Sequence, residues 1–182
     1  MSYAAAYDRL VAHPDPLARA SNAIALIVAA SQPFYPVYVW WIAGSAAWPT
    51  LFTLLTTPFF LAVPFLSRRD ALAGRALLPV AGIANTTMTA LLMPPGTGVL
   101  LFLGPVLMIA TLQFRRGETW LGLSLAALTA AAWLAVGALD PSGIVAMPAD
   151  VLARLLTLNA VSAGSLVVIA GLQFSAARDG RP

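Results

Sequence analysis

Six apolar runs, each close to 20 residues long, constrain the fold of this 182-residue chain more than any other feature of its sequence. An α-helix of about 20 apolar residues crosses the roughly 30 Å hydrocarbon core of a bilayer. The chain is 60% hydrophobic and only 9% charged, whereas a soluble domain carries about 25% charged residues. Because a water-soluble core could not bury that much apolar surface, the sequence predicts an integral membrane protein.

The connections between these runs are brief, so neighbouring helices are expected to run antiparallel. The predicted spans cover residues 17–43, 48–66, 71–93, 97–114, 119–138 and 150–174. The sequence therefore predicts an all-α polytopic membrane protein, a six-transmembrane-helix bundle with short loops over residues 15–178. Residues 1–14 are expected to form an interfacial amphipathic helix that ends before a proline, and residues 179–182 a cytoplasmic tail.

The basic residues predict the orientation of the spans. All ten are arginines, and nine fall on one side of a six-helix path, with only Arg154 on the other. The positive-inside rule then places both termini in the cytoplasm. The lysine-free, arginine-rich composition is typical of a bacterial protein, so the expected location is a bacterial inner membrane. Nucleic acid is not an expected partner, because the arginines lie in pairs between apolar runs rather than on one soluble face.

The residues that membrane enzymes and pumps use within their spans are missing from this sequence. The only histidine, His13, precedes the first span, and no Asp, Glu or Lys lies near the middle of a span. Cysteine is absent, and no nucleophile–base pair or metal-ligand spacing occurs. We therefore expect no enzymatic activity, no catalytic residue, no cofactor and no metal site.

A candidate ligand site follows from the first span, where Pro33 and Pro36 interrupt the helix among polar and aromatic residues. At about 1.5 Å per residue, polar side chains of five spans fall at one depth in the outer half of the bilayer. With neighbouring aromatic residues and one cation, they form the predicted ligand-binding set of an outward-facing pocket. The set consists of Gln32, Tyr35, Tyr38, Trp40, Thr57, Asn85, Trp133, Arg154 and Asn159. In the alternative interpretation the amides only tie helices together, and Arg154 reaches the surface and pairs with Asp150.

Small residues spaced about one helical turn apart mark the last two spans. They are Gly122, Ala126 and Ala130 in the fifth span and Ala160 and Gly164 in the sixth. Such faces let helix backbones approach closely. We expect packing within the chain to bury them, and a homodimer is the alternative.

The first span contains the stretch Gln32-Pro33-Phe34-Tyr35-Pro36-Val37-Tyr38-Val39-Trp40, and five short-looped spans follow it. In this layout the chain resembles the membrane sensor domains of α-hydroxyketone quorum-sensing histidine kinases, and it is similar to small uncharacterised bacterial six-helix membrane proteins. The resemblance implies a non-enzymatic sensor or receptor that binds a small amphipathic or lipid-like ligand. Because no kinase or cyclase domain follows Arg178, it also implies a separate signalling partner. The alternatives are a small transporter or transporter subunit, and a structural or assembly protein without a ligand.

Overall fold

A computed structural model describes residues 3–139 and 141–179 of the chain. Within these ranges the structure consists of helices and their connections, with no strand. The α-helices are α1 (Tyr3–Val11), α2 (Pro16–Ser31), α3 (Phe34–Ala43), α4 (Thr57–Ser67), α5 (Ala71–Leu92), α6 (Leu103–Leu112), α7 (Thr119–Leu139) and α8 (Ala149–Arg178). A long 3₁₀ helix (Gly44–Thr56) joins α3 to α4, and short 3₁₀ turns at Pro95–Thr97, Val99–Phe102 and Arg116–Glu118 precede α6 and α7.

Within the described ranges, three helical runs are long and apolar enough to cross a membrane. They are Phe34–Ser67, Arg116–Leu139 and Ala149–Arg178. Pro16–Ser31 and Val99–Leu112 are also apolar but shorter. The length and composition of the helices thus support the prediction of a membrane protein.

The run Phe34–Ser67 is a hairpin rather than one straight rod. It turns at Gly44, whose φ of 58° is a backbone conformation that favours glycine. Across this turn Gln32 Nε2 donates a hydrogen bond to Thr56 Oγ1 at 2.9 Å. The bond shows that the 3₁₀ helix folds back along α3 and the end of α2.

The second arm of this hairpin starts with 13 residues of 3₁₀ helix, although 3₁₀ runs longer than about four residues are uncommon. Three residues per turn place Ala47, Thr50, Thr53 and Thr56 on one buried face. The Thr50 and Thr53 hydroxyls each donate to the carbonyl three residues earlier at 2.7 Å, and the Thr56 hydroxyl oxygen lies 2.8 Å from the Thr53 carbonyl oxygen. The span predicted over 48–66 is therefore helical, but its first half is 3₁₀ and only its second half is α.

The first arm of the hairpin consists of α3 together with α2, which precedes it along the chain. This arm is interrupted at Gln32–Pro33, as Pro33 and Pro36 predict. Pro36 has no amide hydrogen for the Gln32 carbonyl four residues earlier. The Tyr35 amide donates to that carbonyl instead, at 3.3 Å. The kink thus leaves the Gln32 carbonyl hydrogen-bonded.

Two apolar clusters form most of the buried core. One joins α2, α4, α5, α6 and α8 around Ile24 and Phe174. The other joins α3, the long 3₁₀ helix, α5, α7 and α8 around Val39 and Met93. Gln32 lies at the junction of α2 and α3, between Ile24 of the first cluster and Val39 of the second along the chain.

The small residues of the last two spans do not all pack as predicted. Gly122 of α7 is buried, and a Cβ there would come within 3.0 Å of the Ala110 carbonyl oxygen. Ala160 and Gly164 of α8 are exposed, and among the described residues no atom lies within 4 Å of a Cβ built on Gly164. The expectation of packing within the chain is therefore confirmed at Gly122 and wrong at Ala130, Ala160 and Gly164, all three of which are exposed.

The N-terminal helix α1 packs against the body of the protein. Arg68 donates to the Arg9 carbonyl at 2.8 Å, and Asn22 donates to the Val11 carbonyl at 3.4 Å. Its helical character agrees with the prediction for residues 1–14. Residues 1–2 of that segment, and 180–182 of the predicted tail, lie outside the described residues.

Candidate functional site

A cleft of about 450 Å³ separates α2 and α3 from α8. Small-molecule sites usually have volumes of about 300–1,000 Å³. One wall is formed by residues between Ile27 and Tyr38, and the opposite wall by residues of α8 between Leu158 and Ile169. The floor is polar and comes from three elements. It is formed by Gln32, Thr53, Asn85, Thr86 and Thr89.

The rim of the cleft is exposed on the side of the molecule. Phe34 on one wall is 58% exposed, and Val161 on the other is 64% exposed. Ser31, Tyr38 and Ser165 are also exposed at this rim. Since these residues lie near the middle of the consecutive helices α2 and α3 (Pro16–Ala43) and of α8, the cleft opens sideways, where a bilayer would supply acyl chains.

The predicted residues Gln32 and Asn85 lie at the floor, and Thr57 of α4 contacts Gln32 without lining the cleft. Gln32 Nε2 donates to Thr56 Oγ1 at 2.9 Å and lies 3.5 Å from Asn85 Oδ1. Thr56 Oγ1 lies 2.8 Å from Asn85 Oδ1, and Thr57 Oγ1 donates to Gln32 Oε1. The structure therefore brings together three of the residues that the sequence predicts for the site.

These contacts favour one orientation of the Asn85 amide. Its Oδ1 faces two donors, on Gln32 and Thr56. A flipped amide would set Asn85 Nδ2 against Gln32 Nε2, and two donors cannot bond each other. Among the described residues no acceptor bonds Asn85 Nδ2, and Asn85 is half-buried in the cleft lining. Asn85 therefore offers an NH₂ group to the cleft.

Tyr35 and Asn159 both carry a buried polar atom. Asn159 is fully buried, and its Nδ2 donates to the Thr97 carbonyl at 2.8 Å. Neither the Tyr35 hydroxyl nor Asn159 Oδ1 has a hydrogen-bond partner within the described structure. Tyr35 lines the cleft, and Asn159 does not.

The other predicted site residues are divided between the rim and the outside of the protein. Tyr38 lines the rim of the cleft, whereas Trp40 and Trp133 are exposed elsewhere and do not line it. Arg154 is 68% exposed and lies 3.7 Å from Asp150, which is the ion pair of the alternative interpretation. No charged side chain among the described residues lines the cleft. The cation expected at its mouth is therefore not there.

Several lining residues were not in the predicted set. Thr53 belongs to the threonine face of the 3₁₀ helix, and a period of three in the sequence is the signal that could have indicated it. Ser162 and Ser165 lie one turn apart on the wall formed by α8. No sequence pattern distinguishes these serines from hydroxyl residues that bond only to their own helix.

A cluster of ionic residues at the arginine-rich end was also not predicted. The buried Arg75 makes two 2.7 Å hydrogen bonds to the Glu118 carboxylate and one of 2.7 Å to the Gln113 carbonyl. Asp15 lies 3.7 Å from Arg75 and 3.1 Å from Arg115. These contacts tie the start of α2, the start of α5 and the α6–α7 turn together, and they lie outside the cleft.

Comparison with protein-family profiles, with characterised proteins and with solved structures finds no match for this chain. The resemblance to sensor domains therefore rests on residues 32–40 and on the order of the helices.

Proposed function

We propose that this protein is a non-enzymatic sensor or receptor of a bacterial inner membrane, crossing it six times with both termini in the cytoplasm. Helix lengths support five of the six crossings, and the apolar run of the fourth, Val99–Leu112, is shorter. At about 1.5 Å per α-helical and 2.0 Å per 3₁₀ residue, the arms Pro16–Ala43 and Gly44–Ser67 are each about 42 Å long. At 22 residues, α5 reaches about 33 Å. All three exceed the roughly 30 Å hydrocarbon core.

The cleft carries the functional part of the proposal. It combines apolar walls, a polar floor and a sideways opening, which suits a small amphipathic molecule that arrives through the bilayer. Catalysis is disfavoured because the lining offers amides and hydroxyls without an adjacent acid or base. Binding would be reported to a separate partner protein.

The kink and the long 3₁₀ helix support a signalling role, since both border the cleft. Gln32 lies at the kink, and Thr53 and Thr56 lie on the 3₁₀ helix. A 3₁₀ stretch within a helical run often marks a hinge. A ligand that contacts both elements can shift the equilibrium between two helix geometries.

A small transporter is the second candidate, and the helix interrupted at Gln32–Pro33 favours it because transporter sites are often built from broken helices. Uptake into proteoliposomes separates the two. A transporter moves its cleft ligand across the bilayer, and a receptor binds the ligand without moving it.

Cysteine labelling tests the six crossings, because the chain contains no cysteine of its own. Single cysteines at Ser45 and Ser142 should react with a membrane-impermeant maleimide in spheroplasts. Cysteines at Arg69 and Gly117 should react only after permeabilisation. All four positions are exposed in the structure. Labelling of all four from outside, or of Ser45 and Ser142 only after permeabilisation, contradicts the proposed topology.

Ligand binding is tested by blocking the cleft. Ser162→Trp fills it from α8, and Val168→Trp on the exposed face of the same helix is the matched control. Each protein is purified in native-lipid nanodiscs, and the co-purified small amphiphiles are identified by mass spectrometry. We expect a species that is enriched with the wild type and Val168→Trp and depleted with Ser162→Trp. Identical profiles for all three proteins contradict ligand binding in the cleft.

A further inference from the structure

The Asn85 amide defines the chemistry of a cleft occupant. Gln32 and Thr56 face its Oδ1, so its Nδ2 hydrogens face the cleft without an acceptor among the described residues. When an occupant covers this donor, leaving it without an acceptor is costly. The occupant should therefore bring an acceptor oxygen to Asn85.

Apart from the Thr86 hydroxyl, the other polar groups at the floor are already hydrogen-bonded within the protein. The Gln32 amide donates to Thr56 and accepts from Thr57. The hydroxyls of Thr53 and Thr89 each donate to a backbone carbonyl. Asn85 is thus the amide that remains available for ligand selection.

The absence of charge in the described lining restricts the head group of the ligand. An ion that leaves water without a partner loses its hydration free energy. This cost is larger than the free energy gained from the apolar contacts of a short chain. Arg154 and Arg75, which could neutralise an anion, pair with Asp150 and Glu118 outside the cleft. A carboxylate, phosphate or ammonium head group would therefore be unpaired in the cleft.

We propose that the cleft selects an uncharged single-chain amphiphile from the bilayer, with a hydroxyl or carbonyl oxygen that accepts a hydrogen bond from Asn85 Nδ2. Its chain lies along the apolar side chains of α8, among them Leu158, Val161, Leu166 and Ile169. This inference rests on the proposed function and adds the ligand class and the residue that selects it.

A binding assay with four twelve-carbon probes tests the inference. Radiolabelled 1-dodecanol is titrated into nanodiscs that contain the protein, and its partitioning into empty nanodiscs is subtracted. Unlabelled dodecane, dodecanoate and dodecylammonium compete with it. Asn85→Leu removes the donor at similar volume. Thr87→Val on the same helix is its matched control, because the buried Thr87 hydroxyl is unpartnered and lies outside the lining.

For the wild type and Thr87→Val we expect 1-dodecanol to bind about tenfold more tightly than dodecane, the effect of one good hydrogen bond. Both ions should bind more weakly still. In Asn85→Leu the ratio of the dodecanol and dodecane affinities should fall to about one. The ratio of the dodecanol and dodecane affinities is measured within each folded variant, so a change in the amount of folded protein does not affect it. If Asn85→Leu does not fold, the order of affinities of the four probes for the wild type still tests the inference.

Two results would overturn the inference and leave the proposed function standing. One is equal affinity for all four probes in the wild type together with loss of binding in Ser162→Trp. The other is a preference for dodecanoate or dodecylammonium. Binding that Ser162→Trp does not reduce, or no binding above empty nanodiscs, contradicts the proposed function as well.

Discussion

Replacing Glu118 by Gln should destabilise the protein by about 2–3 kcal/mol. The Arg75 side chain is only 3% exposed and is held by both Glu118 oxygens at 2.7 Å. Removing one partner of a fully buried ion pair costs about 3–5 kcal/mol, because the other charge stays buried. The Glu118 side chain is 23% exposed, so water can replace part of the lost interaction, and we place the cost below that range.

Thermal unfolding in detergent, followed by tryptophan fluorescence, measures the effect. For a chain of this size 1 kcal/mol corresponds to about 2–4 °C, so Tm should fall by roughly 4–12 °C. Asp150→Asn is the matched control, since it removes an ion pair whose two side chains are 68% and 67% exposed. Its cost should stay below about 1 kcal/mol. Equal shifts for the two variants would refute the reasoning from burial.

A double-mutant cycle isolates the pair itself. In an Arg75→Met background no buried guanidinium remains, so Glu118→Gln should cost less than about 0.5 kcal/mol there. If Glu118→Gln costs the same in both backgrounds, the carboxylate acts through another contact. Its bond to the Arg115 amide at 2.9 Å is then the candidate.

The remaining predictions concern packing and hydrogen bonds. Gly74→Ala should destabilise by about 1–3 kcal/mol, because its Cβ would lie 2.6 Å from the Ser67 backbone nitrogen. By contrast Gly171→Ala should stabilise by about 0.5–1 kcal/mol, since alanine favours a helix and among the described residues nothing lies within 4 Å of the added Cβ. The Tm should therefore fall for Gly74→Ala and rise for Gly171→Ala. Shifts of the same sign in the two variants would contradict this expectation. Thr56→Val removes the hydroxyl that contacts the floor residues Gln32 and Asn85. This change should cost about 1–3 kcal/mol. Thr111→Val, whose exposed hydroxyl bonds only its own helix, should change stability by less than about 0.5 kcal/mol; equal unfolding temperatures for the two threonine variants would show that the floor contributes nothing.

The helical segments could be predicted from the sequence because helix formation there depends on local features, namely the length of each apolar run and the positions of its prolines. The interruption at Gln32–Pro33 and the exposed Arg154–Asp150 pair follow from such local rules. The meeting of Gln32 with Asn85 was also predicted, since helix rise alone sets their depths.

What sequence reasoning missed depends on helix rotation and on distant contacts. Trp133 shares a predicted depth with Gln32, yet it lies outside the cleft, because packing decides which side of a helix faces inward. The Arg75–Glu118 pair joins residues 43 positions apart, and the sequence shows only that both lie near helix ends. The 3₁₀ helix was missed because residues three apart, such as Thr50, Thr53 and Thr56, also lie near one another on an α-helix.

Quenching by brominated lipids tests the central claim, a ligand cleft open to the bilayer, most directly. A fluorophore is attached to a single cysteine at Ser165 on the rim, or at Val168 on the exposed face of the same helix outside the lining. Acyl chains brominated near the depth of the label should quench both positions, and 1-dodecanol should reduce quenching at Ser165 but not at Val168. An unquenched label at Ser165, or equal quenching there with and without 1-dodecanol, would contradict the claim.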